Sequence, residues 1–93
     1  MIIEKIQTAI QNALPDAIIY VFDPQRDGQH FEAIVISESF AGLPLVRQHQ
    51  AVMQPLKAAF ETYVHALRLR TFTPEKWSAE EHKYAHLNPI LFK

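Results

Sequence analysis

The stretch Val64-His65-Ala66-Leu67-Arg68-Leu69-Arg70-Thr71-Phe72-Thr73-Pro74-Glu75-Lys76-Trp77 decides the fold, because a strand runs in it directly into a capped helix. Read with period two, His65, Leu67, Leu69 and Thr71 share one face, while Arg68 and Arg70 point the other way. Thr73 suits the N-cap, Pro74 the first helical position and Glu75 the positive end of the helix dipole. Trp77, one turn into that helix, is expected to pack back on the sheet. His65 has core-side parity but stands at the mouth of the strand, where a ring nitrogen can be reached. Taken alone, the strand leaves two readings of it: a core-edge histidine closed by one hydrogen bond, or a ligand.

Upstream, Ile2, Ile3, Ile6, Ile10 and Ala13 recur at helical spacing, and Pro15 stops the run. Ala17 to Phe22 is a β-branched and aromatic run suited to a strand. Asp23-Pro24-Gln25-Arg26-Asp27-Gly28-Gln29 has turn chemistry throughout and leads to a second strand over Phe31 to Ser37. After the bend at Gly42 and Pro44, a helix carries Leu45, His49, Val52, Met53, Leu56, Phe60 and Tyr63 on one stripe. Pro55 lacks an N–H and clashes with the preceding turn, so that helix should kink or split near Gln54. The element order is therefore α-β-β-α-β-α, an α+β domain over residues 1–84 with a tail, 85–93, in which periodicity is lost.

Ninety-three residues allow a single core. Such a chain buries about 60–65% of the surface its unfolded form exposes. Apolar residues make up 48% and the net charge is −1, which excludes a disordered or strongly basic chain and any long-range pull on phosphate. Without cysteine there is no disulfide, thiol nucleophile or thiolate metal ligand. Glu4, Lys5 and Gln7 interrupt the first apolar run, against a signal peptide or membrane span, and a cytoplasmic protein is expected. No phosphate loop, paired carboxylates or nucleophile–base pair points to an enzyme.

Four motifs occur in an order and spacing that resemble the BolA family: Ser37-Glu38-Ser39-Phe40-Ala41-Gly42, Leu45-Val46-Arg47-Gln48-His49-Gln50, Val64-His65-Ala66-Leu67 and Thr73-Pro74-Glu75-Lys76-Trp77. The resemblance covers roughly residues 1 to 80. It implies the BolA-like, type II KH-like fold, a three-stranded mixed sheet packed with helices. It also implies a non-enzymatic partner of monothiol glutaredoxins, a monomer or weak homodimer when alone, acting in iron–sulfur cluster trafficking or iron sensing. In the family, the histidine matching His65 ligates a two-iron, two-sulfur (2Fe–2S) cluster shared with glutaredoxin, which supplies a cysteine and bound glutathione. The cluster is expected only in that complex. Imidazole is an acceptable iron ligand, and a neutral ligand in place of thiolate makes a cluster less negative.

The second metal ligand is less plainly written. Relatives often place a histidine or cysteine early in the loop between the first two strands, whereas this chain has Asp23, Pro24, Gln25, Arg26 and Asp27 there. His30, at the loop's end, either takes that role or only anchors the loop. His49 is read as a buried, hydrogen-bonded histidine, and its neighbours Gln48 and Gln50 stand where relatives often carry arginine. His82 and His86 lie four apart but lack a third ligand and are read as incidental. The alternative function is a KH-like nucleic-acid-binding transcriptional regulator, in which Arg68, Arg70 and Lys76 would make weak DNA contacts. The Gly-x-x-Gly loop of such domains is missing, since Gly42-Leu43-Pro44-Leu45 stands in its place.

Overall fold

A computed structural model of the chain describes residues 2–62 and 66–84. Helix α1 (Ile2–Ala13) leads to strands β1 (Ile18–Phe22) and β2 (His30–Ile36), and a 3-10 turn at Glu38–Phe40 follows. Helix α2 (Leu45–Met53) passes through a 3-10 turn at Gln54–Leu56 into α3 (Lys57–Thr62). Strand β3 (Ala66–Phe72) and helix α4 (Pro74–Glu80) complete the order, with a last 3-10 turn at Glu81–Lys83. Pro55 splits the central helix where expected, because its ring cannot sit in an unbroken α-helical ladder.

The strands lie in the order β1-β2-β3, with β1 and β2 antiparallel and β2 and β3 parallel. This is the mixed three-stranded sheet that the resemblance implies. The parallel register pairs His30 with Ala66, Glu32 with Arg68 and Ile34 with Arg70. Its two ends are marked by Ala66 N donating to Gln29 O (3.1 Å) and Ser37 N donating to Phe72 O (3.0 Å).

Both faces of the sheet are covered, but unequally. On one face, Ile6 and Ile10 from α1 and Val52, Leu56 and Ala59 from the split helix pack on Val21, Phe31, Ala33 and Val35. Leu67 and Leu69 lie partly buried at the margin of this main core. On the other face, Phe22, Ile34, Ile36 and Phe72 form a smaller cluster under Trp77 of α4. The Trp77 ring lies 5.2 Å from Phe72 and 5.8 Å from Tyr84, centroid to centroid. The cap drawn from sequence is present: Thr73 Oγ1 accepts from Lys76 N at 3.3 Å, and Pro74 opens the helix. The face bearing Arg68 and Arg70 is thus apolar at the Phe72 end and polar towards Glu32.

One apolar residue of the expected stripe goes elsewhere. Leu45 and its neighbour Val46, in the first turn of α2, are 62% and 63% exposed. A polar bond takes their place as the tie to the sheet. Thr71 Oγ1 donates to Gln48 Oε1 at 2.7 Å, and Gln48 Nε2 donates to Leu43 O at 2.9 Å. His49, expected to be buried and hydrogen-bonded, is only half-buried, and its ring makes no hydrogen bond among the described residues. Further along, buried Ser37 donates to the Asp16 carboxylate (2.9 and 3.0 Å) and accepts from Ser39 N (3.0 Å). The Ser37-Glu38-Ser39-Phe40 motif is thus a cap that ties the end of β2 to the turn after α1.

Candidate functional site

The loop from Asp23 to Gln29 is built by two aspartates. The Asp23 carboxylate accepts from Asp27 N (3.3 Å) and Gly28 N (2.8 Å), which closes the turn. Gly28 has φ +68°, a left-handed conformation that a residue without Cβ takes at little cost. Arg26 also lies in that region, at φ 55°, so the tight loop strains one residue that has a side chain. Asp27 Oδ1 accepts from Gln29 N (2.9 Å) and His30 N (3.0 Å), and Oδ2 meets His30 Nδ1 at 2.6 Å. The carboxylates of Asp23 and Asp27 are therefore occupied by backbone N–H groups, a structural use that the sequence pattern hides.

The His30 backbone N–H, then that of Gln29, then the His30 ring hold the Asp27 carboxyl well below the usual carboxylate range. Asp27 is consequently an anion at neutral pH and can only accept. Nδ1 of His30 therefore donates to this carboxylate, which in a neutral ring places the lone pair on Nε2. A carboxylate behind the other ring nitrogen is the usual outer shell of a metal-ligating histidine. The side chain of His30 is 43% exposed and lines a cleft of about 350 Å³ with Pro24, Gln25, Ala66 and Arg68.

His65 lies outside the described residues, as does His86. The residue that follows His65 in the chain, Ala66, is the register partner of His30. Among the described residues, no three histidine, aspartate or glutamate side chains converge on one point.

The three candidate nucleic-acid residues do not form one patch. Arg70 Nη1 binds Glu32 Oε1 at 3.2 Å while its guanidinium carbon lies 5.1 Å from the Tyr84 ring centroid. Arg68 Nε is 3.9 Å from the same Glu32 oxygen, with its side chain 70% exposed. Lys76 is exposed on α4, beyond the aromatic cluster. Glu32, which sequence reading passed over, sits between the two arginines because the parallel register sets it directly opposite Arg68. No helix among the described residues is long and apolar enough to cross a membrane.

Fold and site together define a small cysteine-free α+β domain that presents a carboxylate-anchored imidazole at the rim of a mixed sheet. Residues 7–76 match the family described as BolA-like protein, and the chain belongs to that family. It is 31% identical over 77 residues to the acid stress protein IbaG of Escherichia coli, covering 82% of this chain and 88% of that one. It is 29% identical over 84 residues to the E. coli DNA-binding transcriptional regulator BolA, covering 83% of this chain and 80% of that protein. Among solved structures it resembles BolA1 from Arabidopsis thaliana, with TM-score 0.74 and 25% identity over 82% of this chain and 95% of that one.

Proposed function

We propose that this protein is a non-enzymatic adaptor that binds a monothiol glutaredoxin and shares a 2Fe–2S cluster with it through His65 and His30. Its role would be iron–sulfur cluster trafficking or iron sensing. Membership of the BolA-like family supports the partner. The observation that carries the reading is the Asp27–His30 pair, which anchors one imidazole through Nδ1 beside the start of β3. The donor chemistry fits: a neutral imidazole suits iron, and a chain without cysteine relies on its partner for thiolates. When bound, the cluster would supply the redox-active iron. The contribution of this chain is to hold a neutral nitrogen in place and to fix its proton on Nδ1.

The test mixes the protein with a monothiol glutaredoxin, iron, sulfide and glutathione and records visible absorption and circular dichroism. A chiral spectrum distinct from that of glutaredoxin alone is expected. His65→Ala should abolish it, and His30→Ala should weaken it less. An unchanged spectrum for His65→Ala would remove the ligand role.

The KH-like regulator remains a second reading, favoured by the description of the E. coli relative as a DNA-binding transcriptional regulator. Against it stand the glycine loop's absence and Glu32, whose charge offsets one of the two arginines.

A further inference from the structure

The two edges of the sheet are finished differently. On β1, the outward carbonyl of Ile19 accepts from Gln7 Nε2 (3.4 Å), and Ala17 O, just before the strand, accepts from Gln11 Nε2 (3.1 Å). Helix α1 thus blunts that edge with side-chain amides. On β3 the bonds to β2 run through the even residues, from Ala66 N at one end to Phe72 O at the other. The N–H and C=O of Leu67 and Leu69 therefore point away from the sheet, and none of them has a hydrogen-bond partner among the described residues. An edge of this kind is a template for another strand.

The side chains along β3 say what kind of strand fits. One face offers Leu67 and Leu69, partly buried and able to be covered further. The other offers Arg68 and Arg70 with a single carboxylate, Glu32, between them, a net charge of +1 with Arg68 the more exposed. A second copy is a poor occupant. Full antiparallel overlap of two β3 strands turns about Leu69 and sets each Arg68 against Arg70 of the other copy, like charge facing like.

We infer that the outer edge of β3 is a docking site for an extended segment of a partner protein in which acidic and apolar side chains alternate. The segment adds as a fourth strand. Its backbone pairs with Leu67 and Leu69, its carboxylates face Arg68 and its apolar side chains extend the Leu67–Leu69 margin of the core. This inference does not depend on the cluster reading.

The test uses the full chain, isotope-labelled, with a nine-residue capped peptide of alternating valine and glutamate, and a valine–lysine peptide as its counterpart. The expected result is shifts and slowed hydrogen exchange at the Leu67 and Leu69 amides with the glutamate peptide, together with direct cross-strand contacts. Arg68→Glu should weaken that peptide about fivefold and strengthen the lysine peptide. Binding equal for both peptides, shifts centred elsewhere, or no binding would overturn the inference. So would contacts onto Leu67 or Leu69 from residues 85–93 of the free chain, or from a second copy in a mixed-label sample.

Discussion

Replacing Asp27 by asparagine should move the His30 ring proton from one nitrogen to the other without unfolding the loop. The side-chain oxygen of asparagine can still accept from Gln29 N and His30 N, now at 2.9 and 3.0 Å from Asp27 Oδ1. The other atom, however, becomes an NH2 donor where Oδ2 stands 2.6 Å from Nδ1. A donor facing Nδ1 demands a lone pair there, so the ring proton moves to Nε2, the nitrogen required for metal. Loss of such an outer-shell carboxylate costs about 10–100-fold in metal affinity, or ~1.4–2.8 kcal/mol. Two measurements separate the parts of the argument. Nitrogen NMR of the imidazole reports the tautomer with no partner present, and the visible spectrum of the glutaredoxin mixture reports the cluster. If the Asp27→Asn variant keeps the proton on Nδ1, the account of the pair is wrong. If the proton moves and the cluster is undiminished, His30 is not a ligand.

Three further outcomes are expected. Thr71→Val keeps the shape of a buried side chain but removes the donor to Gln48, so the denaturant midpoint should fall by the equivalent of about 1 kcal/mol; an unchanged midpoint would show that this bond does not tie α2 to the sheet. Because the Asp27 carboxyl is depressed in the folded state, its contribution is complete above the ordinary carboxylate value near ~3.9 and is lost only as pH falls well below it. The Asp27 side-chain carboxyl carbon resonance should therefore show no carboxylate titration step near about pH 4, and a midpoint there would refute the assignment. Any DNA binding should be sequence-indifferent, with log affinity falling against log salt at a slope of about −2; sequence-selective nanomolar binding at physiological salt would favour the regulator.

Much of the fold could be read from local chemistry. Pro15, Pro55, Thr73 and Pro74 act within a turn of their own positions, so the end of α1, the split central helix and the start of α4 are where the residues say. Leu45 and His49 misled because helical period assigns a face but not how far a helix overlaps its sheet. Gln48, one position away from His49, makes the tie instead. The metal candidates were only half legible. The types of His30 and His65 are plain in the sequence, but the aspartates of the loop between β1 and β2 look like poor ligands until their bonds reveal them as the frame that orients His30. Glu32 was invisible as the neutralising partner of Arg68 and Arg70, because that pairing is a consequence of strand register between segments more than thirty residues apart.

The sole tryptophan of the chain lies in the smaller of the two apolar layers, against Phe72 and Tyr84, and none lies in the main core. Its emission is therefore a built-in optical probe of one side of the sheet. Fraying of α4 would change the fluorescence while the helices on the opposite face still gave a folded far-ultraviolet signal. Unfolding curves from the two signals, laid over one another, would show whether the thin aromatic layer melts with the rest of the molecule or ahead of it.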